Sequence, residues 1–446
     1  MAAIRSRMGD PGAKGLAMAV GAAIRDGTLA PGVSLPPIRD VAAALQISPS
    51  TVSAAWAALN RAGMLLTDGR RGTAVRDLRT PAVTRYRRAM DGQTGLPLDL
   101  STGVPDSALL PHLGAALLRW DTAGTPSSYL EDPLVPELDA VLRRDWPYRP
   151  RTLLVVDGAQ DALDLIVRTY LGLGDTVAVE HPAFTPLVDL LESVGVGIVP
   201  VELDSHGLMV AALQAALAGG VKAVFLQPRA QNPTGVTMTR HRARQIARLI
   251  GDAGVLAVED DSQGLLANTR PLSVGAWIPD FTVHIRGFSK SHGPDLRLAA
   301  LSAPEHVLDR LVSYRALGQG WSSRLLQRIL THLLTDDDAR AQVDRARQVY
   351  AARRAALVAA LGAHGVVVGG TDGINIWVPV QDQATALVLL AGEGIAVTPG
   401  RAFTLEPGYP AHIRVTAGLV PHSEAAVVGG AIARAATTTL WRNGVR

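Results

Sequence analysis

The chain has 446 residues, 48% of them apolar, and no cysteine; this suffices for two or three buried cores and excludes disulfides, thiol nucleophiles and cysteine-ligated zinc. The net charge of +3 hides an asymmetry, because residues 1–90 hold 13 Lys plus Arg against 5 Asp plus Glu, setting a module at +8 ahead of a remainder at −5. A basic module of this kind points to nucleic acid, and no apolar run approaches the roughly eighteen uninterrupted residues of a membrane span, so no membrane partner is expected. Arg5, Arg7 and Lys14 precede the apolar stretch 15–24 in the manner of a signal peptide. Its glycines and alanines leave it too weakly apolar for export, and a cytoplasmic location is expected.

In chain order, Leu16, Val20 and Ile24 recur at helical spacing and Gly27 stands where that helix would stop. A second helix is predicted through "PIRDVAAALQI", burying Ile38, Val41, Ala42 and Leu45. Ser48 is suited to an N-cap and Pro49 to the first helical position, so "SPSTVSAAWAALNRAG" opens a third helix with Val52, Ala55, Trp56 and Leu59 inward. "MLLTDGRRGTAV" then reads as two strands about an Asp68-Gly69 turn, with Arg70 and Arg71 near its tip. Helix, short turn, helix and wing form a geometry that places a helix start in the major groove. There Ser48, Ser50 and Thr51 reach base edges and phosphates, Arg39 supports them, and Arg70 and Arg71 enter an adjacent groove of double-stranded DNA. A helical protein-binding module is the alternative, disfavoured by the charge.

This segment resembles the winged helix-turn-helix of the GntR family of bacterial regulators, most specifically in the run "GTLAPGVSLPPIR" from Gly27 to Arg39 and in "SPSTV" from Ser48. Pro49 stands where that family usually has a DNA-contacting arginine.

Residues 77–97 are basic, lack a sustained period and read as a linker. Beyond residue 98, strand-like runs alternate with helical stretches: "TLLVV", "DTVAVE", "GIVPVEL", "AVFLQP", "VLAVEDD" and "TVHIRGFS". This alternation predicts an α/β fold, a mostly parallel sheet with helices on both faces, followed from about residue 340 by a smaller α+β unit. The chain thus divides into residues 1–76, 77–97 and 98–446.

Lysine occurs at positions 14, 222 and 290 only, so an amine retained in "GFSKSHGPDLRL" invites a chemical explanation. A Schiff-base lysine needs a carbonyl cofactor, and pyridoxal 5'-phosphate needs a phosphate cradle, a partner for its ring nitrogen and a ring stack. Gly158, before a predicted helix, leaves the amides of Ala159 and Gln160 at a helix N-terminus, where phosphate binds. Phe184 has the shape of a stacking ring, although a lone Phe is more often core. Asn232 in "AQNPTG" sits in a turn that needs no ligand to exist. "VEDD" ends a strand in carboxylates that, if buried, require a cation. Ser289 and Arg297 flank the lysine, and the arginine's planar fork suits a phosphate.

In content and order these motifs resemble the fold-type I aminotransferases over residues 98–446. The resemblance implies Lys290 as the cofactor-bearing lysine, Asp260 as the ring-nitrogen partner, Asn232 at the phenolic oxygen and Phe184 on the ring. It also implies a phosphate held by Ala159, Gln160, Ser289 and Arg297, a Tyr129 that reaches a neighbouring subunit's cofactor, and Arg414 with Gly103 at an effector's carboxylate. Two positions depart from the pattern: Ser262 replaces a frequent tyrosine and Gly287 a frequent phosphate-binding serine or threonine. A GntR-like head on such a body resembles the MocR subfamily of regulators end to end. That likeness implies a head-to-tail homodimer that binds DNA and senses an amine, an amino-acid-like effector or the vitamer itself. An active aminotransferase with an accessory DNA-binding domain, and a cofactor-free dimerisation scaffold, are the alternatives.

Overall fold

The computed structural model describes residues 1–68, 72–76, 84–90, 95–118, 128 and 131–439. Arg70, Arg71 and Tyr129 lie outside these described residues. Helices Ala13–Arg25 (α1), Ile38–Leu45 (α2) and Pro49–Arg61 (α3) form the head, closed by strands Ser34–Leu35 (β1), Leu65–Asp68 (β2) and Gly72–Val75 (β3) in the order β1-β3-β2. Ser48 caps α3, its Oγ accepting from the Thr51 N–H at 3.0 Å, with Pro49 in the first turn. Leu16, Val20, Ile24, Val41, Ala42, Leu45, Val52, Ala55, Trp56 and Leu59 share one core. Each large aliphatic side chain there contributes about 1.5–3 kcal/mol by leaving water.

Inside the segment read as a linker, Arg85–Met90 (α4) is helical. Too short and too basic to show a hydrophobic period, it is held by tertiary contacts: the Arg85 N–H donates to Asp189 at 3.0 Å, and its guanidinium pairs with Asp189 and Glu192.

The body is built on Leu153–Val156 (β4), Ala159–Tyr170 (α5), Thr176–His181 (β5), Thr185–Ser193 (α6), Gly197–Asp204 (β6), Gly207–Leu208 (β7), Ala223–Leu226 (β8), Leu256–Asp261 (β9), Thr282–Gly287 (β10), Ser289–His292 (α7) and Ala299–Ser302 (β11). The eight strands lie in the order β4-β11-β10-β9-β8-β5-β6-β7. Every pair among β10, β9, β8, β5 and β6 is parallel, whereas β11 runs antiparallel to both β10 and β4. Near-continuous apolar burial of β4, β5 and β8 fits a sheet covered on both faces. The smaller unit pairs Ile376–Pro379 (β12), Thr398–Pro399 (β13) and His412–Val415 (β14) in the order β12-β14-β13, and packs them with the long helix Asp337–Ala363 (α8) and with Ala425–Thr437 (α9). Leu98 and Leu100 belong to this unit too, through a pairing of Leu98–Asp99 with Ile395–Ala396 and burial in its core.

Candidate functional site

The C-terminal ends of β4, β5, β8, β9 and β10 open toward the same region, where ligands bind in open α/β sheets. On β9, side chains alternate between faces. Glu259 and Asp261 are engaged by His284 (2.8 Å) and by Arg229 within the protein. Asp260, on the opposite face, turns toward Gln227 and Ser262 and borders, with Phe184, a small void among the apolar Leu163, Val179, Phe225 and Val258. It is 5% exposed and has no ion-pair partner among the described residues; Oδ2 accepts from Gln227 Nε2 at 2.7 Å and Oδ1 from the Ser262 hydroxyl. Burial raises its carboxyl above the ordinary range, with Asp261 adding to the effect, against hydrogen bonds from Ser262 and Gln227 and the charge of Lys290.

Lys290, in α7 just beyond β10, turns its amine to the Gly103 carbonyl. Burial, aided by the nearby Arg414 guanidinium and opposed by Asp260, lowers its pKa to about 8. Arg414 on β14 donates to the Ser101 carbonyl, to Thr398 Oγ1 at 3.0 Å and to Asn232 Oδ1 at 3.3 Å, and lies 5.0 Å from the Phe403 ring centroid. Gly103 has φ +64, and a Cβ there would stand 3.4 Å from the guanidinium; its N–H donates to Thr416 Oγ1 at 2.9 Å. Asn232 is fixed from behind, its N–H donating to Gln227 Oε1 at 2.8 Å.

At the other edge Gly158 takes φ +101 before α5. A Cβ at this position would stand 3.4 Å from the Arg297 guanidinium, which donates to the Asp157 carbonyl at 3.1 Å. The start of α5, with Ala159 and Gln160, therefore shares its surroundings with a cation, and the buried Gln160 Oε1 has no partner within the described residues. Ser289 opens α7 beside Lys290. Phe184 precedes α6 and packs on the sheet core.

Pyridoxal phosphate fits these groups. A protonated ring nitrogen would supply the cation that Asp260 lacks, and a phosphate would suit a helix start next to Arg297. Neither departure obstructs this: Ser262 instead holds Asp260, and a Cβ on Gly287 would meet Ser262 and Ala159 only at 3.5 Å or more. Gln227, which orients both Asp260 and Asn232, was hidden in the sequence as the polar end of an apolar strand. Glu180 was hidden in the same way; burial raises its carboxyl to about 8, against a hydrogen bond from the Gln227 N–H.

In the head, Ser48, Ser50 and Arg39 are exposed and Thr51 half-buried. Ser48 Oγ lies 2.7 Å from Ser50 Oγ and 2.8 Å from Thr51 Oγ1, a hydroxyl cluster at the α3 N-terminus.

Residues 13–75 match the family of bacterial regulatory proteins of the gntR type, and residues 97–429 match aminotransferase class I and II. PtsJ of Salmonella typhimurium, a vitamin B6 salvage pathway transcriptional repressor, is 35% identical over 408 residues, 89% of this chain and 92% of that protein. The HTH-type transcriptional regulator TauR of Rhodobacter capsulatus is 28% identical over 85% of this chain and 87% of its own. Among solved structures, an archaeal alanine:glyoxylate aminotransferase superposes with a TM-score of 0.72 at 21% identity, covering 80% of this chain and 96% of that one. The kynurenine aminotransferase of Pyrococcus horikoshii matches equally, at 0.72 and 22%, covering 80% and 95%. At such identities these two show the fold alone, fold-type I. With a gntR head and an aminotransferase class I and II body in one polypeptide, the chain belongs to the MocR-type transcription regulators.

Proposed function

We propose that this regulator carries pyridoxal 5'-phosphate on Lys290 and reports its presence, or that of an amine competing for it, to DNA held by the head. The observation that carries the reading is the convergence of Lys290, Asp260, Asn232 and Arg414 on one region in a chain whose head also presents a capped helix start bearing exposed hydroxyls. When bound, the cofactor supplies an aldehyde for a primary amine and an electron-withdrawing ring. Lys290 provides the amine, held largely neutral above pH 8. Asp260, steadied by Gln227 and Ser262, faces the ring nitrogen, Asn232 the ring oxygen and Phe184 the ring plane. Ala159, Gln160, Ser289 and Arg297 take the phosphate. Tyr129 from a neighbouring subunit completes the site in a head-to-tail dimer, and the protein works in the cytoplasm. Arg39, Ser48, Ser50, Thr51, Arg70 and Arg71 contact DNA.

The vitamer itself is the favoured signal, supported by the description of PtsJ and by Arg414 being already engaged by Ser101, Thr398 and Asn232. A carboxylate-bearing amine is the second reading, since Gly103 leaves the guanidinium approachable. Borohydride reduction of the protein with pyridoxal phosphate, followed by peptide mass mapping, tests the assignment. The expected result is a reduced adduct on Lys290 that Lys290→Ala lacks; an adduct elsewhere, or equal labelling of the variant, overturns it.

A further inference from the structure

The strand β12 has two faces. Ile376 and Val378, with Val415 and Ile413 opposite them on β14, are buried in the core of the smaller unit. Successive side chains of a strand point to opposite sides of the sheet, so Trp377 and its cross-strand partner Arg414 lie on the other face. The pairing runs on before β12, where the Gly418 N–H donates to the Ile374 carbonyl at 2.9 Å. Asn375, two residues before Trp377, therefore shares the face of Arg414. That face belongs to the candidate cofactor site. Arg414 donates to Asn232 Oδ1, and Thr416, two residues beyond it, accepts from the N–H of Gly103, the residue whose carbonyl takes the Lys290 amine.

Asn375 is 5% exposed, and its Oδ1 has no hydrogen-bond partner among the described residues. From the side of the large sheet comes Gln263, three residues after Asp260, 4% exposed and with its Oε1 equally unpartnered. Gly373, two residues before Asn375, ties the two sides together. At φ +80, its Cβ position stands 3.6 Å from Gln263 Cδ and 2.8 Å from the side chain of Ala230, itself two residues before Asn232. A buried oxygen without a donor costs free energy unless a ligand supplies the missing hydrogen. Two such oxygens, brought from both units to the surroundings of a guanidinium suited to a carboxylate, point to a ligand with a polar group of its own. A carboxamide turned over presents its N–H groups in place of its oxygen, so the group that suits both settings is one that donates and accepts. A hydroxyl does so, whereas an ammonium only donates and a methyl does neither.

We propose that Gln263 and Asn375 select the side chain of the effector, and that the amine accepted beside Arg414 is a small hydroxylated amino acid and not an aliphatic or aromatic one. Both amides are shut off from water, which fixes the small size. The proposal rests on the reading of this region as the cofactor site and gives a chemical class to its second signal, the carboxylate-bearing amine. Discrimination comes from the wrong ligand as much as from the right one, because a methyl in place of the hydroxyl leaves both oxygens buried and bare.

Two isosteric pairs test it: L-serine against L-α-aminobutyrate, and L-homoserine against L-norvaline. Each pair exchanges a terminal hydroxyl for a methyl and keeps the amine and the carboxylate. Full-length protein loaded with pyridoxal phosphate is titrated with each compound, and binding is read from the cofactor's absorbance and from calorimetry. At least one hydroxylated member is expected to bind about tenfold or more tightly than its apolar partner. Gln263→Met and Asn375→Leu, which keep the volume and remove the amides, are each expected to shrink that ratio to about threefold or less. Circular dichroism identifies a variant that fails to fold, and the other then serves alone. A ratio below tenfold in both pairs, or one that persists undiminished in the folded variants, overturns the proposal. Binding of pyridoxal phosphate with no response to any of the four compounds overturns it too, together with the amine as signal, and leaves the vitamer reading standing. Failure of pyridoxal phosphate to bind overturns the cofactor reading itself, and the proposal with it.

Discussion

Lys290 combines an ordinary side chain with an unusual setting. Burial and Arg414 hold its amine at about 8, below the 10.5 of a free lysine. Only the unprotonated amine attacks a carbonyl, so the rate of pyridoxal phosphate incorporation is expected to rise with pH and level off just above 8. Stopped-flow absorbance from pH 6 to 10 measures it; a rise continuing to 10 and beyond contradicts the setting described. Glu180 gives a complementary stability signature. Its folded pKa, about 8, exceeds the ordinary 4.5, so the stability tied to its protonated form is fully present below 4.5 and is lost as pH rises through 8. Glu180→Gln removes the titration and keeps an acceptor for the Gln227 N–H. Urea midpoints of the two proteins are expected to diverge between pH 5 and 9, the wild type falling; parallel curves contradict a buried, protonated Glu180.

At the scale of elements, the central strands of the body were legible because each is a short apolar run bounded by Gly, Pro or Asp, and the head helices because their apolar residues keep a period, with a visible side-chain cap on α3. Ser48 is the clearest instance. Ser48→Ala is expected to destabilise the head by about 1 kcal/mol, the ordinary loss of an N-cap hydrogen bond, read as a lower thermal midpoint; an unshifted midpoint contradicts the capping. What escaped the sequence were features decided by distant partners. The helix Arg85–Met90 has no period of its own and depends on Asp189 and Glu192. The antiparallel β11 hid among short apolar residues after Arg297. The cleft was legible in its chemistry, through Lys290, Asp260 and Asn232, but not in its support. Gln227 reads as strand sequence until the fold brings it between Asp260 and Asn232.

Over the whole molecule, the charge asymmetry and the two family matches describe the same division: a basic head that grips a polyanion and a mildly acidic body that houses the cleft. Phosphate contacts release counterions, each adding about 0.9 to the slope of log affinity against log salt. Replacing Arg39 with alanine is therefore expected to weaken DNA binding and flatten that slope by about one contact; an unchanged slope in filter binding removes Arg39 from the interface. A tenfold regulatory effect asks only about 1.4 kcal/mol of differential ligand binding between DNA-competent and incompetent states. The most direct measurement of the central claim is to sequence genomic DNA fragments retained by the purified full-length protein with and without pyridoxal phosphate, alongside Lys290→Ala. A sequence-selective set whose retention shifts about tenfold with the vitamer, in the parent but not in the variant, is the predicted result. Selective retention indifferent to the vitamer, or an equal response in Lys290→Ala, would contradict it.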